Sequence, residues 1–100
     1  MSSFQLYISE SAVDDINNAI IYYNQKVPGL GKKFSSQVKK AVKAIQTNPF
    51  FQVRYDNTRC IPLKSFPYML HFTVDEPKLT IEIFGVINTS LDPELFWSKN

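Results

Sequence analysis

"RCIPLKSFPYMLHFTV", Arg59 to Val74, is the stretch on which the fold turns. In its second half Tyr68, Leu70, Phe72 and Val74 interleave with Met69, His71 and Thr73, the period-two pattern of a strand with one buried face. Arg59 to Leu63 also reads as a short strand, but Pro62 has no N–H to give to a ladder. That strand is therefore expected at an edge or with a bulge. Two cations, Arg59 and Lys64, stand beside the prolines. The turns and edges of a sheet account for such a segment; so does a site for a polyanion or an acidic partner.

Working outward, Asp75-Glu76-Pro77-Lys78 reads as a turn, after which Leu79, Ile81 and Ile83 alternate with Thr80, Glu82 and Phe84 to about Ile87. Upstream, Phe51 to Tyr55 is a short strand closed by an Asp56-Asn57 turn. Before Asn48-Pro49 the period changes to that of a helix, from about Leu30 to Gln46, with Leu30, Phe34, Val38, Ala41 and Ile45 as its apolar stripe. A first helix precedes it: Ser9 has the hydroxyl of an N-cap, and Ala12, Ile16, Ala19, Ile20, Tyr23 and Val27 recur on one face. Glu10, Asp14 and Asp15 suit the positive end of its dipole. Pro28 stops it by pushing Val27 out of the α region, and Gly29 and Gly31 make a tight joint. Phe4 to Ile8 is a first strand with Phe4, Leu6 and Ile8 on one face. The order is β-α-α followed by β-β-β. The expected fold is α+β, an N-terminal strand and an antiparallel helix hairpin packed on a mainly antiparallel sheet.

One hundred residues make one domain, 1–100, and the 44% hydrophobic content supports a packed core rather than disorder. No apolar run approaches the roughly 20 residues that span a bilayer. "MSSFQLYISE" has no signal-peptide pattern, and the single Cys60 allows no internal disulfide, so a soluble cytoplasmic protein is expected. The net charge of +2 hides an asymmetry. Lys26, Lys32, Lys33, Lys39, Lys40 and Lys43 cluster, and no acid occurs from Ile16 through Tyr55. The cluster makes either a solvated helix face or a local positive field for a partner.

Several chemistries are set aside. Cys60 and His71 are the only residues of their kinds, too few for a structural zinc site, and no metal or cofactor is expected. As a Cys–His pair they read first as two ordinary strand residues. Asp14 and Asp15 point about 100° apart on a helix and make a poor acid–base dyad; their place near the dipole is sufficient reason for them. "GLGKKF" follows a helix and lacks P-loop spacing. The remaining candidates are the cations Arg54, Arg59 and Lys64, the lysine-rich helix, and the aromatic pair Phe96 and Trp97, which suits either core packing or a partner surface.

The chain resembles the RelE/ParE superfamily of type II toxin–antitoxin toxins, and within it the ParE-like plasmid stabilisation branch. The resemblance rests on "S..A..DI..AI.YYN" (Ser9 to Asn24), "GLGKKF" (Gly29 to Phe34), "V..AV..I..NP" (Val38 to Pro49), "R...LKSFPYMLHF" (Arg59 to Phe72), and Asp92-Pro93 with Trp97. It implies that the Arg59-to-Tyr68 stretch crosses from the sheet edge into the central strand, with Pro67 starting that strand. It also implies an antitoxin partner encoded by the adjacent gene, and no sequence-specific DNA binding by this chain alone. Ribonuclease relatives cut messenger RNA on the ribosome with Lys, Arg and a C-terminal aromatic; Arg59 and Lys64 are the plausible equivalents here. Many relatives end in a His and an Arg where this chain has Asn88 and Leu91. Asn exchanges no proton near neutral pH and Leu pairs with no phosphate. The expectation is therefore a toxin that binds a protein, as ParE-like members bind DNA gyrase, through Arg54, Arg59, Lys64, Phe96 and Trp97. A ribosome-dependent endoribonuclease and a degenerate member that only binds antitoxin are the alternatives.

Overall fold

The computed structural model describes residues 4–89, so Phe96 and Trp97 lie outside the described residues. The elements are β1 (Gln5–Ile8), α1 (Glu10–Lys26), α2 (Leu30–Thr47), β2 (Val53–Tyr55), β3 (Thr58–Pro62), β4 (Tyr68–Asp75) and β5 (Thr80–Asn88). Four strands follow the helices, one more than the β-β-β order counted: residues 53–62 form the two short strands read on either side of Asp56 and Asn57, both at positive φ. The sheet order is β1-β5-β4-β3-β2, with β1 parallel to β5 and every other pair antiparallel. This is the expected α+β architecture, and no helix among the described residues is long and apolar enough to cross a membrane.

The helix hairpin forms for the reasons its sequence carries. Ser9 caps α1, its hydroxyl accepting from the Ala12 N–H at 3.2 Å. Val27 leaves the helix extended, at φ −145° and ψ 120°, ahead of Pro28. It is 54% exposed rather than part of the buried stripe, because at that point the chain has already left the helix. Gly29 begins α2 at φ 90°, a conformation glycine alone adopts freely, and offers no side-chain cap. Asn24 of α1 takes that role, its Oδ1 accepting from the Gly31 N–H at 2.8 Å. The helices cross closely here. A Cβ on Gly31 would stand 2.7 Å from both the Ile20 carbonyl and the Asn24 amide nitrogen.

Phe34, Val38, Ala41 and Ile45 of α2 pack with Leu70, Phe72, Ile81, Ile83 and Val86 of β4 and β5. Phe4 and Leu6 join them, whereas Ile8 is 38% exposed at the end of β1. Pro62 is tolerated by alternation. Leu63 donates to the Tyr68 carbonyl at 2.9 Å, so Pro62, opposite Met69, is a non-hydrogen-bonded position toward β4. Its missing N–H points to the β2 side, where pairing has already stopped at Val53–Arg59. Pro67 precedes β4, the middle strand of the five. Leu79, expected to open the last strand, instead sits in the turn at φ 54° and is 39% exposed. A register shift at His71–Phe72 places Phe84 out of pairing and resets the parity of β5, so that Val86 faces inward.

Candidate partner-binding groove

The loop from Leu63 to Pro67 is held against the helices by an aromatic cluster. Tyr23 stacks on Phe34 at 5.6 Å between centroids, and Phe66 meets Tyr23 edge-on at 4.9 Å and Phe34 at 5.2 Å. Tyr68 closes the group on Phe34 at 5.0 Å. To reach this position the chain turns at Ser65 with φ 72°, a left-handed conformation costly for a residue with a Cβ. The turn leaves a cavity of about 320 Å³ between α2 and the loop, lined by Tyr23, Leu30, Lys33, Gln37, Ser65, Phe66 and Pro67. A second, of about 200 Å³, continues it past Gln37, with Lys40, Ala41 and Ala44 on one wall and Ile61, Pro62 and Lys64 on the other. Residues 33, 37, 40 and 44 share a helix face by their spacing. The result is a shallow groove with an apolar floor and cations Lys33, Lys40 and Lys64 on its rim. Both prolines and Lys64 of the opening stretch lie on it.

Arg54, Arg59 and Lys64 do not converge. Arg59 pairs with Phe72 on the helix side of the sheet, where its Nη1 donates to the Phe51 carbonyl at 2.6 Å and its guanidinium lies 5.5 Å from the Phe50 ring centroid. Its Nε is buried with no hydrogen-bond partner among the described residues. Arg54 is exposed on β2, and its charge acts on Cys60. Cys60 follows Arg59 in the strand and so faces the opposite side of the sheet. Lys64 is roughly 15 Å along the chain from Arg59 at a strand's rise per residue. Only Lys64 of the three lines the groove. Sequence reading left out Lys33, Gln37 and Lys40 as a set, although their helical spacing carried the signal.

On the other face Cys60 and His71 are directly opposed across β3 and β4. The His71 Nδ1 lies 2.9 Å from the Tyr55 hydroxyl and 3.5 Å from the Cys60 thiol. Burial pushes the Cys60 thiol up to about 11 and the His71 imidazole down to about 4. Both groups are neutral at neutral pH. A thiolate–imidazolium pair is therefore disfavoured, and the contact is structural. Among the described residues no group of three or more His, Cys, Asp or Glu is placed to hold a metal.

No family model matches the sequence, and no curated protein matches it either. A solved structure does share its fold. A chain from the "Chromosomal ParDE TA system from P. aeruginosa" superposes with a TM-score of 0.73 and 19% identity, over 85% of this chain and 95% of that one. The RelE/ParE-like fold expected from the sequence is the fold of this protein.

Proposed function

We propose that this chain is the toxin component of a type II toxin–antitoxin system, working in the cytoplasm and neutralised by an antitoxin encoded beside it. The observation that carries this reading is the fold shared with the ParDE toxin–antitoxin chain over nearly its whole length. The surface is suited to the role. An acidic, partly apolar segment of the antitoxin would lay its apolar groups on Phe66, Ala41 and Ile61 and its carboxylates against Lys33, Lys40 and Lys64. The test is binding of the purified chain to the product of the adjacent gene. A tight complex at low salt is expected, weakened roughly tenfold or more by Lys33→Glu with Lys40→Glu. A complex indifferent to both substitutions would remove the groove from the interface, and no complex at all would remove the proposal.

The cellular target in this reading is a protein, DNA gyrase, and the chain does not cut RNA. Phosphodiester cleavage needs a proton acceptor and a donor beside the cations. His71, the only imidazole, is 1% exposed and held neutral, and Arg59 is already bonded to the Phe51 carbonyl. Induced expression without the antitoxin should produce DNA damage rather than translation arrest. Codon-dependent cleavage on programmed ribosomes that disappears with Arg59→Ala and Lys64→Ala would replace the gyrase reading with the ribonuclease one.

A further inference from the structure

On the other side of the aromatic cluster from the lysine groove, an open groove of about 570 Å³ runs between α1 and the ends of β4 and β5. Its volume is in the range of small-ligand sites. Its chemistry is opposite in sign. Asp15 is the only charged residue among those lining it, and Tyr22 and Tyr68 stand beside it. Asp15 does more than favour the helix dipole: its Oδ2 accepts the Val86 N–H at 3.0 Å, across 71 residues of sequence. That bond holds a half-buried carboxylate at the groove while Oδ1 makes no hydrogen bond or ion pair among the described residues. Both phenol rings contact Tyr23 edge-on, at 5.1 Å for Tyr22 and 6.1 Å for Tyr68. Tyr22 is 47% exposed. A cation already lies against its ring, the Lys26 ammonium 5.1 Å from the centroid, but Lys26 is not part of the groove lining.

A carboxylate anchored by a backbone hydrogen bond, lining one groove with two tyrosine rings, is an arrangement that recognises a cation. We propose that this groove binds an arginine side chain presented by a partner polypeptide. The planar guanidinium stacks on a tyrosine ring and donates to Asp15 Oδ1, whereas an ammonium uses only part of that geometry. Ala19, 3% exposed, forms an apolar floor for the side-chain methylenes. The site stands independently of the toxin reading, since none of its lining residues belongs to the lysine groove.

The experiment is a titration of the ¹⁵N-labelled full chain with an end-capped Gly-Arg-Gly peptide, with capped Gly-Gln-Gly and Gly-Lys-Gly as controls. The arginine peptide should shift the amides of Val86, Ala19 and Asn18 saturably, less so as salt is raised, while the glutamine peptide should not and the lysine peptide should bind more weakly. Asp15→Asn retains an acceptor for Val86 and should weaken binding roughly tenfold or more, the loss expected for one charge-assisted hydrogen bond. Tyr22→Ala changes an exposed ring and should weaken it several-fold without unfolding the chain. Absence of saturable shifts in the wild-type protein overturns the proposal. So does equal binding of arginine and glutamine peptides, or undiminished binding by both variants; if Asp15→Asn fails to fold, wild type and Tyr22→Ala decide the matter.

Discussion

His71 makes the stability of this protein depend on pH in a window where most of its surface should not. Its imidazole is 1% exposed, set between Tyr55 of β2, Cys60 of β3 and Phe84 of β5. Burial lowers its pKa from 6.5 to about 4. In the unfolded chain His71 takes up a proton below pH 6.5; in the folded chain it resists doing so until about pH 4. The unfolded state thus binds more protons between these values, and stability falls as the pH falls. Each pH unit across the window costs about 1.4 kcal/mol, which gives about 2 kcal/mol lost by pH 5 and about 3 kcal/mol by pH 4. The measurement is a difference between two proteins, so that contributions common to both cancel. Urea unfolding of wild type and His71→Gln should be compared at pH 7, 6, 5 and 4. The variant is expected to be less stable at pH 7, where it disturbs a buried contact, and to lose less stability on acidification. Parallel stability–pH curves for the two proteins would refute the reasoning, since they would mean that His71 gains its proton equally in both states.

Three further outcomes follow from other places in the fold. Gly31→Ala brings a Cβ within 2.7 Å of the Ile20 carbonyl and should lower stability in urea by about 1–3 kcal/mol; an unchanged midpoint would mean the helices have room to part. At Ser65, φ 72° predicts that valine costs about 1–2 kcal/mol relative to serine while glycine is tolerated, and equal melting temperatures for the two variants would contradict the left-handed turn. Cys60, 5% exposed with its thiol pushed up to about 11, should react with iodoacetamide at pH 8 roughly a hundredfold more slowly in the native protein than in urea; comparable rates would show that the outer face of the sheet opens readily.

How much of this was legible depended on whether the cause was local. The α2 stripe from Phe34 to Ile45 and the alternation from Tyr68 to Val74 are repeated signals, and both elements appear with boundaries shifted by a residue or two. Pro62 was expected to mark an edge or bulged strand, but β3 lies between β4 and β2, and the proline is accommodated because it falls beyond the last β2 pair. Leu79 was misplaced because one more apolar residue at strand spacing looks the same whether it pairs or turns. Burial of His71 could not be read from alternation, which assigns one covered face, whereas here Thr58, Cys60 and His71 are buried on the second face too. Asp15 had a sufficient local explanation in the helix dipole, and its bond to Val86 depends on how β5 passes α1. For the candidate groove, Lys64 and the lysine helix were visible, but their meeting depends on the turn at Ser65, which no serine announces.

The two grooves share a wall, and this decides which substitutions can test either one. Tyr23 and Phe66 line the lysine groove, Tyr68 lines the Asp15 groove, and all three rings contact Phe34 or one another. Truncating any of these half-buried aromatics removes packing against the core and shifts both surfaces together. A loss of partner binding in Phe66→Ala would therefore carry no information about which groove the partner uses. The rims are separate. Lys33 and Lys40 stand on α2 with no counterpart in the Asp15 groove, and Tyr22 and Asp15 stand on α1 with none in the lysine groove. Their charges are opposite, so raising salt weakens both contacts, while charge reversal distinguishes them. Lys33→Glu with Lys40→Glu should weaken capture of an acidic segment roughly tenfold or more and leave the arginine peptide bound, and Asp15→Asn should do the reverse. If either rim variant impaired both ligands equally, the grooves would be one continuous site, and the separation argued from the aromatic wall would be wrong.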